Sequence, residues 1–210
     1  MRAVFIALLF VVCLISPGTE VHAAGKDQVT AFANDLGNKA IAVLTDKTLS
    51  KEAKHAKLEA LFMQSVDIDW IGKFVLGRYW RGATDTQKHQ YLINYRTFLI
   101  KHYTSNLVDF TDANFQVTKV VPDDSGGDRV TVLLKRPQAE DTVVDYTVRQ
   151  KEGSGLKVYD IAVEGVSMIT TQRSEFNSVV SQKGLDYLIA QLDARSNSEA
   201  VGSGQGADSQ

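Results

Sequence analysis

An α+β fold follows from a change of hydrophobic period along the chain. Helical spacing runs through the first half, strict alternation takes over after Asn114, and helical spacing returns from about Thr170. The alternating part has four segments joined by short Gly, Pro and Asp turns. This predicts a four-stranded twisted antiparallel sheet covered by several helices. The chain has 210 residues and a net charge of -2, with acidic and basic residues mixed throughout. That balance argues against nucleic acid as a partner.

The first 23 residues read as a cleavable secretory signal. Arg2 precedes an uncharged apolar run from Ala3 to Ile15, Pro17 and Gly18 interrupt it, and Val21-His22-Ala23 suits cleavage before Ala24. The run is too short to span a bilayer, and no later run reaches that length. Cys13 follows Val12 inside the run, so it does not read as a lipoprotein site. The mature chain then has no cysteine, which excludes a disulfide, a thiol nucleophile and a thiolate metal site. Residues 24–195 suit a single domain with its own core. Beyond Arg195 the tail SNSEAVGSGQGADSQ has little to bury, and residues 196–210 are expected to be disordered.

Val29, Phe32, Ala33, Leu36, Ala40, Val43 and Leu44 recur at helical spacing from Asp27 to Thr45, with Gly37 weakening the helix without ending it. Ser50 caps a second helix, Lys51 to Gln64, on which His55 reads as solvated among lysines. Asp67 or Asp69 caps a third, which continues through FVLGRYWRGA (Phe74 to Ala83) as one core helix and ends near Gly82. That segment is apolar nearly all round, so it reads either as plain core or as a cavity wall. Thr84 and Gln87 form a capping box for the longest helix, Asp85 to about Val108. Its face carries Tyr91, Tyr95, Phe98, Leu99 and Tyr103, and three tyrosines on one face suggest a partly wet site. The strands follow, with turns at Pro122 to Asp128, Pro137 to Asp141 and Gly153 to Gly155. Thr170 or Thr171 caps a further helix, Gly184 breaks it, and Leu185, Leu188, Ile189 and Leu192 make a short amphipathic one.

No GxxxxGK[ST], GxSxG or HExxH occurs. Asp160 and Glu164 are four apart on a strand-to-turn segment. They read as helix caps or as partners of Arg78 or Arg173, with an acid/base pair as the less favoured reading. The residues argue for a binding or carrier protein rather than an enzyme, with no cofactor and no metal.

Two stretches are distinctive. One is Leu76-Gly77-Arg78-Tyr79-Trp80-Arg81 followed by Ala83-Thr84 and a long helix. The other runs from Lys157-Val158-Tyr159-Asp160 through Glu164-Gly165-Val166-Ser167-Met168-Ile169-Thr170-Thr171 to Lys183-Gly184-Leu185-Asp186 and Ala190-Gln191-Leu192. The chain from about residue 27 to 195 resembles the MlaC family, also called toluene-tolerance auxiliary proteins. It departs from similar proteins at Leu156, where they commonly carry Trp.

The resemblance implies a periplasmic phospholipid shuttle that helps maintain outer-membrane lipid asymmetry. The implied partners are an inner-membrane ABC transporter with a periplasmic ring of substrate-binding domains and an outer-membrane lipoprotein–porin complex. The implied fold encloses a deep apolar pocket that takes acyl chains and leaves the head group outside. A related branch encoded near hopanoid biosynthesis genes is also similar, which keeps a polycyclic cargo open. A secreted enzyme using Asp160 or Glu164 and a structural adaptor are the weaker alternatives.

Exposing one sixteen-carbon chain to water costs on the order of 12 kcal/mol, so such a carrier must hide its cargo fully. On this reading Val130, Val132, Leu134, Val144, Tyr146 and Val148 form the pocket floor, and Tyr95, Phe98, Leu99 and Tyr103 a helical lid. Arg78 and Arg81 stand near the mouth, or pair with Asp160 or Glu164. The head-group preference, number of chains, direction of transport and oligomeric state are not encoded in any motif.

Overall fold

The computed structural model describes residues 25–104, 114–135 and 140–202. The expected signal segment with Cys13, residues 105–108 at the expected end of the long helix, the turn residues 137–139, and the end of the tail from residue 203 lie outside the described residues. Among the described residues, seven helices and five strands follow in the order α1 (Lys26–Thr45), α2 (Lys51–Ser65), α3 (Ile68–Leu76), α4 (Arg78–Gly82), α5 (Asp85–Thr104), β1 (Asn114–Pro122), β2 (Asp128–Lys135), β3 (Thr142–Lys151), β4 (Gly155–Val163), β5 (Val166–Ser167), α6 (Met168–Lys183) and α7 (Leu185–Gly202). The strands form one antiparallel meander in sequence order. The expected four strands are thus joined by a two-residue fifth, which turns back on β4 at Ala162 and Val163.

Alternation sets the two faces of the sheet. Val130, Val132, Val144 and Val148 are buried under the helices, while on the opposite face Thr131 donates to Asp145 at 2.6 Å. The register places Val132 beside Val144 and Val130 beside Tyr146, so the parity expected from the sequence holds. An irregularity between β3 and β4 leaves Tyr159 without a β3 partner, which is why Val158 and Tyr159 are both buried.

The segment expected as one core helix is two. Gly77 adopts φ +59°, and its amide closes α3 on the Lys73 carbonyl at 3.0 Å. A Cβ there would also press on the Arg173 guanidinium at 3.3 Å. No residue of α4 is fully buried. The apolar character of the segment belongs to α3, whose Ile71, Val75 and Leu76 are core, and α4 lies on the surface.

Caps explain the remaining boundaries. The Thr84–Gln87 box forms, with the Gln87 amide donating to Thr84 Oγ1 at 3.2 Å and the Thr84 amide to Gln87 Oε1 at 3.0 Å. The cap of α6 is Ser167, not Thr170 or Thr171: its Oγ accepts from the Thr170 amide, so the helix starts three residues earlier. His55 is not simply solvated. It is about one-third exposed, 3.6 Å from Glu59 and 3.2 Å from Thr104 Oγ1, and so links α2 to α5. Helix α7 continues past Arg195 to Gly202. Ser196, expected to lie in the tail, is 3% exposed, and its carbonyl accepts from Lys101 Nζ at 2.7 Å.

Asp67 joins helices and sheet. Its side chain is 4% exposed and accepts from the Trp70 amide at 3.2 Å, from Tyr159 Oη at 3.0 Å and from Lys151 Nζ at 2.8 Å. Burial alone would raise its carboxyl. Lys151, the Trp70 amide and Tyr159 outweigh burial and hold it below the usual value. A carboxyl with a depressed folded-state pKa stabilises the fold above its unfolded value of 3.8, and this stabilisation is lost as pH falls below that value. Asp67→Asn is therefore expected to cost about 1–3 kcal/mol at neutral pH. Urea melts should show the variant and parent converging as pH falls through that acidic window.

Candidate functional site

The molecule has a filled half and a hollow half. In the filled half, Tyr91, Tyr95, Phe98 and Leu99 of α5 pack with α3, α6 and α7 against Val130, Val148 and Val158. Tyr91 Oη donates to the Gly72 carbonyl at 2.9 Å, and Tyr95 Oη to Gln172 Oε1 at 2.8 Å. Burial raises both hydroxyls well above the ordinary tyrosine value. They are dry, internally satisfied core groups rather than the wet site expected from three tyrosines on one face.

The hollow half is a cavity of about 350 Å³ between α1 and α2 on one side and the sheet on the other. Leu36, Gly37, Ala40, Ile41 and Leu44 of α1 and Leu58, Leu61, Phe62 and Ser65 of α2 form its roof. Val132, Leu134, Val144, Tyr146, Val158, Ile161 and Val163 form its floor, and Phe115 of β1 lies at the sheet edge. Among the described residues, no charged side chain lines it. The volume falls in the range of about 300–1,000 Å³ typical of small-molecule sites.

Local sequence explains the void. The face of α1 turned to the sheet carries Gly37 and Ala40, which fill little space. Its fully buried residues, Val29 and Leu44, lie near its two ends. Val29 belongs to the main core, and Leu44 forms a separate small cluster with Leu58. The helix is anchored at both ends, and between them it meets the Phe115 ring at Gly37 and leaves open the space beside Ala40.

Five of the ten expected lining residues line this cavity: Tyr103, Val132, Leu134, Val144 and Tyr146. Tyr95, Phe98, Val130 and Val148 lie in the solid core instead. Leu99 reaches only an adjoining void of about 20 Å³. The helical lid is thus α1 and α2, with Tyr103 the contribution of α5 among the described residues. A stacked pair, Phe62 and Tyr103 at 6.1 Å between ring centroids, stands where the two spaces meet. Burial first, and then the Asp160 and Glu175 carboxylates, push the Tyr103 hydroxyl up to about 12.

The four charged candidates are not brought together. Arg78 is exposed, donating to Tyr79 Oη at 2.9 Å and stacking on that ring. Arg81 is exposed on α4, away from the lining residues. Asp160 accepts from Ser167 Oγ at 2.6 Å and from the amides of Ile161 and Ile169 at 2.7 and 3.3 Å. It therefore supports the start of α6, as the capping reading expected. Glu164 is exposed on the β4–β5 turn at φ +50°. Arg173 lies over the Phe74 ring at 4.6 Å rather than on a carboxylate. Sequence reasoning missed the α1 and α2 lining residues. Their signal was the run of small residues on the inner face of α1.

Residues 34–194 match the MlaC protein family. The intermembrane phospholipid transport system binding protein MlaC of Haemophilus influenzae is 21% identical over 130 residues, which is 60% of this chain and 61% of that protein. The chain thus spans about three-fifths of that relative's length. Among solved structures, a phospholipid-binding protein from Ralstonia solanacearum in complex with a phospholipid has a similar fold. Its TM-score is 0.69 at 23% identity, over 81% of this chain and 97% of that one.

Proposed function

Because the chain belongs to the MlaC protein family, we propose that it binds phospholipid in the cavity between α1–α2 and the sheet and carries it through an aqueous compartment. The observation that carries this reading is the cavity itself: about 350 Å³ and apolar, with no charged side chain among the described residues that line it. A shuttle needs to cover acyl chains without gripping a head group it must release. Hydrocarbon walls do the first at roughly 0.8 kcal/mol per methylene, and the lack of charge serves the second. The names of the relatives support phospholipid as the cargo class. The apolar leader in the sequence supports export to the periplasm. No described helix is long and apolar enough to cross a membrane.

On this reading the partners are an inner-membrane ABC transporter complex and an outer-membrane lipoprotein–porin complex, and the process served is outer-membrane lipid asymmetry. Catalysis has little support at the carboxylates proposed for it, since Asp160 is already engaged by three donors.

Native mass spectrometry tests the function after incubation with vesicles of phosphatidylethanolamine and phosphatidylglycerol. The expected result is a complex of about one phospholipid per protein, identified by extraction. Protein that stays empty after repeated incubation would overturn the reading.

A further inference from the structure

Glycine in a helix interior weakens the helix relative to alanine, yet Gly37 lies in the middle of α1. The space around it accounts for its presence. A Cβ at position 37 would fall well inside 3.0 Å of three carbons of the Phe115 ring. The ring is seated in a notch that only glycine leaves open. Both residues line the cavity, and β1 is the edge strand of the sheet.

The sheet register locates this contact along the cavity. Going along β2, Val130 is 0% exposed and Val132 is 4% exposed, while Leu134, which pairs with Phe115, is half-buried. Phe115 is therefore at the outer end, where burial falls off, and in the seam between the roof helix and the sheet edge.

We propose that Phe115, seated over Gly37, is a specificity-determining residue of this cavity. Its ring closes the lateral seam between α1 and β1, so that the site retains a slender flexible chain and refuses a rigid fused-ring hydrocarbon. A flexible chain can follow the space between roof and floor past the ring. A fused-ring plate needs width at the outer row, and that width is taken up by a ring packed flush on helix backbone. This deepens the lipid-binding reading and rests on it for the natural cargo.

Two fluorescent probes test the role without assuming a head group: cis-parinaric acid for a single chain and dehydroergosterol for a fused-ring lipid. Wild type, Phe115→Ala, Phe115→Leu, Gly37→Ala and the double variant Gly37→Ala with Phe115→Ala are compared, with circular dichroism to confirm folding. Wild type is expected to hold the chain and not the sterol. Phe115→Ala should release the chain about tenfold faster, the loss that goes with one or two methylene contacts, and should gain sterol binding. Phe115→Leu should fall between them. Gly37→Ala should weaken chain binding because its methyl displaces the ring, and in the double variant, with no ring left to displace, that methyl should add nothing to the Phe115→Ala phenotype.

Sterol binding by wild type, or equal release from wild type and Phe115→Ala, would overturn the proposal. So would a double variant that loses the chain faster than Phe115→Ala by the same factor that separates Gly37→Ala from wild type. Wild type that takes parinaric acid but no phospholipid from vesicles would overturn the phospholipid reading alone, leaving Phe115 to be judged by the probes. Wild type that takes neither would overturn both.

Discussion

Ala40→Trp is expected to empty the cavity of lipid while leaving the protein folded. Ala40 lies on the inner face of α1, between the notch at Gly37 and the buried Leu44, and its small side chain is one reason the space exists. An indole there enters open volume, so it meets none of the overpacking cost that a filled core imposes. It denies that volume to a chain. Excluding about five methylenes forfeits about 4 kcal/mol, on the order of a thousandfold in affinity. Native mass spectrometry should show the variant empty under conditions that load the parent, with a thermal midpoint at or above that of empty parent protein. A folded Ala40→Trp protein that still holds phospholipid would place the site elsewhere.

The second large effect is on stability. Tyr95→Ala should cost about 3–5 kcal/mol, the range for deleting a large buried aromatic. Tyr95 is fully buried, with ring centroids 5.5 Å from Tyr91, 6.0 Å from Phe176 and 6.5 Å from Phe98. Its loss also strands Gln172, whose side-chain oxygen accepts the Tyr95 hydroxyl. At roughly 2–4 °C per kcal/mol for a domain of this size, the thermal midpoint should fall by about 6–20 °C. Tyr95→Phe should cost far less, about 1 kcal/mol, and should keep lipid at the parental level. The pair separates two roles for one residue: a lid residue would lose binding without losing stability, and a core residue does the reverse.

That reversal shows what the sequence made legible. The floor was readable because alternation on β2 and β3 has a period of two, and burial of Val130, Val132, Val144 and Val148 fixes the parity for Leu134 and Tyr146 as well. The roof was not, because helical spacing marks a buried face without saying whether that face is packed solid. The aromatic stripe on α5 looked like a ligand wall because it was large. Large side chains fill space, and here they fill the core, with their hydroxyls satisfied by Gly72 and Gln172. Hollow space lies under the small residues, Gly37 and Ala40, on a helix with far weaker aromatic character. The division at Gly77 was hidden for a related reason. An apolar run does not reveal the positive φ that splits α3 from α4, and Arg78 with Arg81 was the one visible sign that the second piece faces outward.

Helix α1 has its fully buried residues near its two ends, Val29 in the main core and Leu44 in a separate cluster with Leu58. The middle of the helix borders the cavity and is expected to open locally, with the Phe115 ring leaving Gly37, at a free energy below that of global unfolding. Amide exchange is expected to be bipartite. The α3–α5–α6–α7 half should exchange through the whole-domain transition, and the middle of α1 through its own smaller one. On the lipid-binding reading proposed above, loading and release would then proceed many times within the lifetime of a single folded core.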